Sequence, residues 1–274
     1  MLAEDAMKNT IQKNNIVQAS WSNVSDTKLC TTISNKSGNK VSTIEHLMSA
    51  ISALQIDNLI IEISGPEAPI LDGSSKVFFK KISNIGIIEQ VKNKQFIKIL
   101  KKVNVKTNGT QASLSPSKNN FEVTYKLSYN HPLIKKEKYS ININKDNYKN
   151  DIAAARTFGF LEQYKKLKKE GYAKGASLNN CVVFNGKKIL NKKGLRYKNE
   201  LARHKVLDVV GDLYLAGHSI LGHFNGIKSG HDTNNKLLKK VFSDKSSFAL
   251  VTMNKKDKKE NNIIALQIPS QIAS

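Results

Sequence analysis

The sequence predicts an α+β protein of two similar-sized layered domains. Three observations carry this prediction: the 274 residues suffice for one to two domains, hydrophobic residues make up an ordinary 39%, and strand and helix patterns follow one another in two successive blocks. No apolar run reaches the about 18 residues that a membrane span needs. A polar segment at 91–94 is the candidate linker, which gives domain I at 1–93 and domain II at 94–274.

The first block is organised around one helix. Ser42 and Glu45 have the spacing of a capping box before an apolar run, which predicts a helix over 43–54. An alternating, β-branched segment predicts a strand over 59–64. The other expected elements of this block are a strand over 28–34, turns over 65–69 and 71–74, and a helix over 75–83.

The second block contains the strongest helix pattern of the chain, at 200–216. Asn185 and Gly186 suit a two-residue turn between strands over 181–184 and 187–190. The charged stretch 254–262 is expected to be a solvated hairpin loop. The other expected elements are strands over 95–106, 121–129, 247–253 and 263–268, a short apolar segment over 158–160, and helices over 161–170 and 234–242.

The formal net charge of +22 points at first sight to a nucleic-acid partner. However, only three of the 44 basic residues are arginine, the residue that bidentate reading of phosphates and bases favours. We therefore interpret the lysine excess mainly as compositional background and expect no nucleic-acid partner. Attraction to anionic substrates or lipid headgroups stays open, and it is compatible with weak peripheral association with a membrane.

The start of the chain and its cysteines predict a cytoplasmic protein. The first 15 residues lack the apolar core of a signal peptide. Cys30 and Cys181 are too few for a disulfide framework and are expected to be reduced thiols.

A metal site is suggested by His204 and Asp208, which lie four residues apart on the predicted helix and share one face. Imidazole and carboxylate both suit zinc, but a catalytic zinc usually has three protein ligands. His46 is the candidate third ligand, because the adjacent Glu45 is placed to act as general base on the attacking water. The alternatives are that Glu45 only closes the capping box and that His46 faces solvent.

His231 adds a further candidate. It follows Ser229 and Gly230 at the start of a helix, a position that suits a general acid, an oxyanion stabiliser or an ordinary N-terminal helix residue. Asp212, one turn beyond Asp208, is placed to orient this imidazole and to raise its pKa.

Six motifs in a fixed order carry a resemblance to a known family. They include Ser-Thr-Ile-Glu-His at 42–46, Arg-Thr-Phe-Gly-Phe at 156–160 and Lys-Ser-Gly-His at 228–231. The others lie at 70–74, 203–208 and 211–214. Over roughly residues 18–268 the chain resembles the UDP-3-O-acyl-N-acetylglucosamine deacetylases, the LpxC family of zinc enzymes in lipid A synthesis.

The resemblance implies a β-α-α-β sandwich in which each domain packs a sheet on helices and the two helical layers face each other. It also implies Zn²⁺ as cofactor, UDP-3-O-acyl-N-acetylglucosamine as substrate and a monomeric state. The segment 172–190 matches an insert whose hydrophobic passage holds the acyl chain. Small and apolar walls of this passage are expected from Ala173, Ala176, Leu178, Cys181 and Val183.

Site roles follow from the same resemblance, position by position. His46, His204 and Asp208 are the implied zinc ligands, Glu45 the general base, and His231 the general acid paired with Asp212. Lys205 and Thr157 match residues at the substrate and the tetrahedral intermediate, and Phe158 matches the aromatic residue that lies against the sugar. The arginines Arg156, Arg196 and Arg203 all lie in family-like segments, so we expect them to have fork-like hydrogen-bonding roles that lysine does not fill.

The chain departs from the family pattern in two places. The family begins with a further block of about thirty residues, so domain I is expected to lack its first strands. An inactive or unstable remnant is therefore the alternative to a working enzyme. Asp232 follows His231 where the family usually has a small residue, and it is expected either to hydrogen-bond locally as a cap or to alter the pKa of His231.

Overall fold

A computed structural model describes residues 15–129, 131–134 and 136–252, together with the backbone of 264–265. The predicted loop at 254–262 lies outside the described residues, and so does most of the strand predicted over 263–268. Among the helices of the described part, none has the length and apolar character needed to cross a bilayer.

The elements confirm the predicted α+β class. The longer helices are α1 (Glu45–Ala53), α2 (Lys76–Ile85), α3 (Leu161–Lys169), α4 (Glu200–Tyr214) and α5 (His231–Ser243). The first strands are β1 (Val24–Asp26), β2 (Thr32–Ser34), β3 (Lys40–Val41), β4 (Gln95–Ile99), β5 (Val103–Thr107), β6 (Thr110–Ser115), β7 (Phe121–Leu127) and β8 (Glu137–Asn142). The remaining strands are β9 (Phe158–Phe160), β10 (Val182–Asn185), β11 (Lys188–Ile189), β12 (Ser219–Ile227), β13 (Phe248–Thr252) and β14 (Ile264–Ala265).

Three sheets are formed by these strands. β1, β2 and β3 make a small antiparallel sheet near the start of the described chain. β9, β10 and β11 make a second sheet, which α3 joins into one βαββ unit over 158–189. The largest sheet has eight strands and is centred on β12, which pairs with β4, β6 and β7.

Helices α1 and α4 pack directly against each other at the centre of the molecule. Their buried residues belong to one continuous apolar core with those of the large sheet, including Ala50, Val210 and Phe224. This contact places the first turn of α1 beside the middle of α4, which is what a site built from residues 45–46 and 204–212 requires. The predicted division of the chain at residue 93 stays a prediction.

Two predictions in the first block are wrong. The segment 59–64 forms no strand, and Leu59, Ile60 and Ile61 are 51%, 59% and 43% exposed. The capping box does not form either, because the backbone N–H of Ser42 bonds to the carbonyl of Pro66. Helix α1 still forms within the predicted range, at 45–53, since its apolar face packs on α4 whether or not its first turn is capped.

Other elements are displaced or were missed. The strand predicted over 95–106 is broken into β4 and β5, and the hairpin turn falls at 186–187, because Asn185 itself pairs with Lys188. Strand β12 was not predicted, because Gly222 and Gly226 interrupt its pattern. Both glycines are required by packing: a Cβ at Gly222 would lie 2.9 Å from the side chain of Ile99.

Of the three arginines, Arg156 makes the fork-like contact with a carboxylate that was expected, whereas Arg203 and Arg196 each reach a carboxylate from one nitrogen. Arg156 donates from Nε and Nη2 to both carboxylate oxygens of the fully buried Glu200, at 2.8 and 3.0 Å. Arg203 donates from Nη1 to the backbone and carboxylate oxygens of Asp151, at 2.8 and 2.7 Å. The third, Arg196, donates from Nη1 to a carboxylate oxygen of Asp72 and to a backbone carbonyl.

Candidate metal centre

Three buried side chains converge where α1 meets α4. His46 lies in the first turn of α1, and His204 and Asp208 lie one turn apart on α4. One ligand atom from each lies within 4.8 Å of the others. Oδ1 of Asp208 is 3.8 Å from Nε2 of His46 and 3.4 Å from Nε2 of His204. Among the described residues, these three form the group of His, Cys, Asp or Glu side chains that could bind one metal ion together.

The hydrogen bonds around the triad leave its inward-facing atoms available to a cation. Nδ1 of His204 donates to the carbonyl of Ala155 at 3.1 Å, so Nε2 carries a free lone pair. Oδ2 of Asp208 accepts from Nζ of Lys205 at 2.9 Å, whereas its buried Oδ1 has no hydrogen-bond partner among the described residues. A buried carboxylate oxygen facing two imidazole nitrogens without a donor fits a bound metal ion.

The protonation states also suit a metal. Burial, reinforced by the nearby His204, lowers the pKa of His46 to about 3, and burial also lowers the pKa of His204. Although burial opposes ionisation of Asp208, His204 and Lys205 hold the pKa of this carboxyl well below its ordinary value. Neutral imidazoles and an ionised carboxylate are the forms that bind metals.

Gly211 sets the distance between the two helices that carry these ligands. A Cβ at this position would lie 2.0 Å from the carbonyl oxygen of Glu45 and 2.9 Å from its carbonyl carbon. Only glycine allows α4 to approach the first turn of α1 this closely. The glycine therefore fixes His46, the next residue, relative to the ligands on α4.

A second group of polar side chains lies beside the triad. Oε1 of Glu45 is 3.8 Å from Nε2 of His231, and Nδ1 of His231 donates to Oδ2 of Asp212 at 2.9 Å. Asp212 also accepts from Nδ2 of Asn234 at 2.8 Å and from the hydroxyl of Thr31 at 2.7 Å. The backbone N–H of Thr31 donates to Oε2 of Glu45 at 3.1 Å.

Burial and charge adjust this second group for proton transfer. Burial raises the pKa of Glu45 to about 7, against the opposing effect of His231. Burial works against a charged His231, but Asp212 and Glu45 outweigh it and raise the pKa of its imidazole to about 10. Both pKa values are thus raised above their ordinary values, and strongly perturbed titratable groups of this kind are typical of catalytic acids and bases.

The other predicted site residues border this centre. Nζ of Lys205 lies 5.6 Å from the ring centroid of Phe158. Thr157 is anchored through its backbone, which donates to the carbonyl of Gly73 at 2.7 Å and accepts from Val182 at 2.8 Å. Phe158 and Lys205 thus lie together beside the triad. Thr157 is held next to Phe158 by its backbone hydrogen bonds.

An aromatic cavity of about 290 Å³ lies next to Phe158. The ring centroid of Tyr129, one of its lining residues, lies 5.8 Å from that of Phe158, which joins the cavity to the metal centre. The cavity lies between the βαββ unit and the segment after β7, and its lining does not include the five small and apolar residues expected to form the passage. It is lined by Tyr129, His131, Pro132, Phe160, Glu162, Gln163, Phe184 and Gly186.

Sequence reasoning missed three contributors to the site. Gly211 lies in the motif at 211–214 but was given no role, and Thr31 gave no signal, because the roles of both depend on contacts between distant segments. Asn234 lies three residues after His231 on α5, a spacing that places both side chains on one face and could have suggested their shared contact with Asp212. Asp232 instead pairs with Lys236 at 2.7 Å.

Comparisons with known proteins agree with the motifs. The sequence profile of the family described as LpxC, UDP-3-O-acyl N-acetylglycosamine deacetylase, matches residues 6–243. The match therefore begins before residue 18, where the motif order was expected to start, and it ends before residue 268.

Curated relatives carry the name UDP-3-O-acyl-N-acetylglucosamine deacetylase. The chain is 43% identical to the protein of Haemophilus ducreyi over 231 residues, which cover 84% of this chain and 76% of that protein. It is 41% identical to the protein of Mannheimia succiniciproducens over 251 residues, covering 91% and 81%, and 42% identical to that of Syntrophus aciditrophicus over 233 residues, covering 85% and 73%.

Proposed function

Because the chain belongs to the LpxC family of UDP-3-O-acyl-N-acetylglucosamine deacetylases, we propose that it hydrolyses the N-acetyl group of UDP-3-O-acyl-N-acetylglucosamine in lipid A synthesis, with zinc as cofactor. One observation carries the proposal beyond family membership. The three potential ligands converge in a buried position. The carboxylate of Glu45 lies next to the hydrogen-bonded pair of His231 and Asp212 beside them.

Zinc fits the donor set of His46, His204 and Asp208, because two imidazoles and one carboxylate are a common set of protein ligands for catalytic zinc. When bound, zinc supplies a water of lowered pKa and polarises the amide carbonyl. The hydrogen bonds from His204 to Ala155 and from Lys205 to Asp208 hold two of these ligands in place.

Glu45 is the proposed general base. Its carboxylate accepts the proton of the water that attacks the acetyl carbonyl carbon, and its raised pKa suits a base that works near neutral pH. The alternative role in a capping box has lost its support, since the Glu45 carboxylate accepts instead from the backbone of Thr31.

His231 is the proposed general acid. Asp212 accepts from Nδ1, so Nε2 of the cationic ring points towards Glu45 and carries the proton that the leaving amine needs when the C–N bond breaks. The products are acetate and the free amine of the sugar nucleotide. Lys205 is charged and close to the triad, and with Thr157 it is the proposed partner of the oxyanion that develops on the carbonyl.

The surroundings of the centre are compatible with a nucleotide-sugar substrate. Phe158 is the proposed contact of the sugar ring, and the adjoining cavity offers the aromatic rings of Tyr129, Phe160 and Phe184 to a planar base. The lysine excess favours an anionic diphosphate. The acyl passage at 172–190, the monomeric state, weak membrane association and the cytoplasmic location stay predictions from the sequence.

The direct test is a deacetylase assay on UDP-3-O-acyl-N-acetylglucosamine combined with metal analysis of the purified chain. We expect turnover that a chelator abolishes and zinc restores, and we expect His46→Ala to lose both metal and turnover. The control is His223→Ala, since His223 is bonded to Thr124 in the large sheet, outside the triad. An inactive wild-type protein that is folded and loaded with zinc would contradict the proposal.

A further inference from the structure

We propose that Thr31 is a positioning residue that aligns the two acid–base groups of the site with each other. The inference rests on the proposed function, because it assigns work to Glu45 and to the pair formed by His231 and Asp212. It concerns a residue that belongs to neither of the helices on which those carboxylates lie. Thr31 directly precedes strand β2 and is 2% exposed.

Thr31 makes one hydrogen bond to each of the two carboxylates. Its hydroxyl donates to Oδ1 of Asp212 at 2.7 Å, and its backbone N–H donates to Oε2 of Glu45 at 3.1 Å. An ionised carboxylate only accepts, so the direction of both bonds is fixed. Thr31 therefore sets the position of Glu45, the proposed general base, relative to Asp212, which holds the proposed general acid His231.

The hydroxyl completes the donor set of Asp212. Oδ2 of Asp212 accepts from Nδ1 of His231 at 2.9 Å and from Nδ2 of Asn234 at 2.8 Å, while Oδ1 accepts from Thr31 and has a longer contact of 3.1 Å with the same imidazole nitrogen. Donors on both oxygens fix the rotation of the carboxylate, and the carboxylate in turn fixes the imidazole ring. Without the hydroxyl, Oδ1 would be a buried oxygen short of a donor, which favours rotation of the group.

Rotation of Asp212 would be transmitted to the reacting atoms. His231 is held through Nδ1, so a turn of its ring moves Nε2, the atom 3.8 Å from Oε1 of Glu45. Small errors in the position of catalytic groups reduce the rate more than they reduce binding of substrate. We therefore expect loss of the hydroxyl to lower kcat and to leave KM and metal content unchanged.

The adjacent residue provides a matched control. Thr32 is also buried, but its hydroxyl donates to Oγ of Ser42 at 2.9 Å and not to either carboxylate. Thr31→Val and Thr32→Val remove the same atom from neighbouring positions at the start of β2. A purely structural effect of losing a buried threonine hydroxyl predicts similar changes in both variants.

The experiment measures kcat, KM, zinc content and the imidazole Nδ1–H resonance of His231 in the zinc-loaded protein. We expect kcat of Thr31→Val to fall about tenfold, the cost of one hydrogen bond to a charged group, with KM and zinc content unchanged. Thr31→Ser and Thr32→Val should stay within about twofold of wild type. The His231 resonance should shift in Thr31→Val and stay in place in Thr31→Ser and Thr32→Val.

Wild-type kcat in Thr31→Val, an equal fall in Thr32→Val or failure of Thr31→Ser to restore kcat would each overturn the inference. If Thr31→Val does not fold, Thr31→Ala replaces it, because alanine also lacks the hydroxyl and is smaller. The same changes in kcat, KM, zinc content and the His231 resonance are then expected of Thr31→Ala. Failure of the proposed function is recognised separately, as a lack of turnover in the wild-type protein. In that case the His231 resonance still decides whether Thr31 aligns the imidazole.

Discussion

Replacing Gly211 by alanine should separate the two helices that carry the metal ligands. The new Cβ would lie 2.0 Å from the carbonyl oxygen of Glu45, a distance at which real Cβ atoms essentially never occur, since such contacts begin at 3.0 Å. Helices α1 and α4 must therefore move apart by about 1 Å at this point, because the obstacle is backbone and no side-chain rotation relieves it.

Two opposing terms set the expected stability change. Alanine favours the helix over glycine by about 1 kcal/mol, whereas overpacking of a core typically costs about 1–3 kcal/mol and more when backbone must shift. The rigid contact places Gly211→Ala at the upper end of that range, so we expect a net loss of about 2 kcal/mol in the free energy of unfolding, measured by urea titration of the metal-free protein.

The effect on the metal should be larger than the effect on stability. His46 follows Glu45 directly, so the shift carries one ligand away from His204 and Asp208, and metal–ligand distances tolerate only about 0.2 Å. We expect zinc affinity in a chelator competition assay to fall at least about tenfold. Gly175→Ala is the control, since its Cβ meets no described residue within 4 Å. A Gly211→Ala protein with wild-type stability and zinc affinity would refute this reasoning.

Three further predictions follow from named contacts. Arg156→Lys should lower the free energy of unfolding by about 2–3 kcal/mol, because buried Glu200 loses its second charged donor. The control Lys236→Arg, at an exposed position, should change this free energy by less than about 0.5 kcal/mol. Urea titration measures both variants. Burial opposes ionisation of Glu200, but Arg156 holds its pKa below the ordinary 4.5, so the stability from this pair is present above that pH and is lost as pH falls through the lower folded value. Glu200→Gln should flatten that acid limb in an unfolding series over pH. Asp232→Ala should change kcat less than about twofold in the deacetylase assay, since Asp232 is 53% exposed and pairs with Lys236.

The parts of the fold that could be predicted from sequence are those set by local periodicity. Helices α1 and α4 have continuous apolar faces, and the four-residue spacing of His204 and Asp208 places them on one side of α4 wherever that helix packs. His46 was a candidate because Glu45 precedes it, and the ordered motifs then implied it as a ligand, although no local rule connects it to α4.

The parts that could not be predicted depend on what each residue meets in the folded chain. Strand β12 was missed because Gly222 and Gly226 are read as interruptions, although packing against Ile99 and Phe224 excludes larger residues there. Conversely, the segment 59–64 has the pattern of a strand but no strand partner among the described residues.

The same limit applies to single side chains of the site. Glu45 has the spacing of a capping residue, yet its carboxylate is directed to Thr31 and His231. Spacing along the chain identifies which residues share a face, but it does not show which distant donor a buried carboxylate will find.

The central claim is that Glu45 takes the proton of the attacking water while the three ligands beside it hold zinc. Glu45→Gln tests it most directly, because the amide keeps the shape of the side chain and an oxygen for the N–H of Thr31 but cannot act as a base. We expect about one zinc per chain, as in wild type, and a fall in kcat of at least about 100-fold. Full turnover in this variant, or loss of zinc together with turnover, would contradict the account.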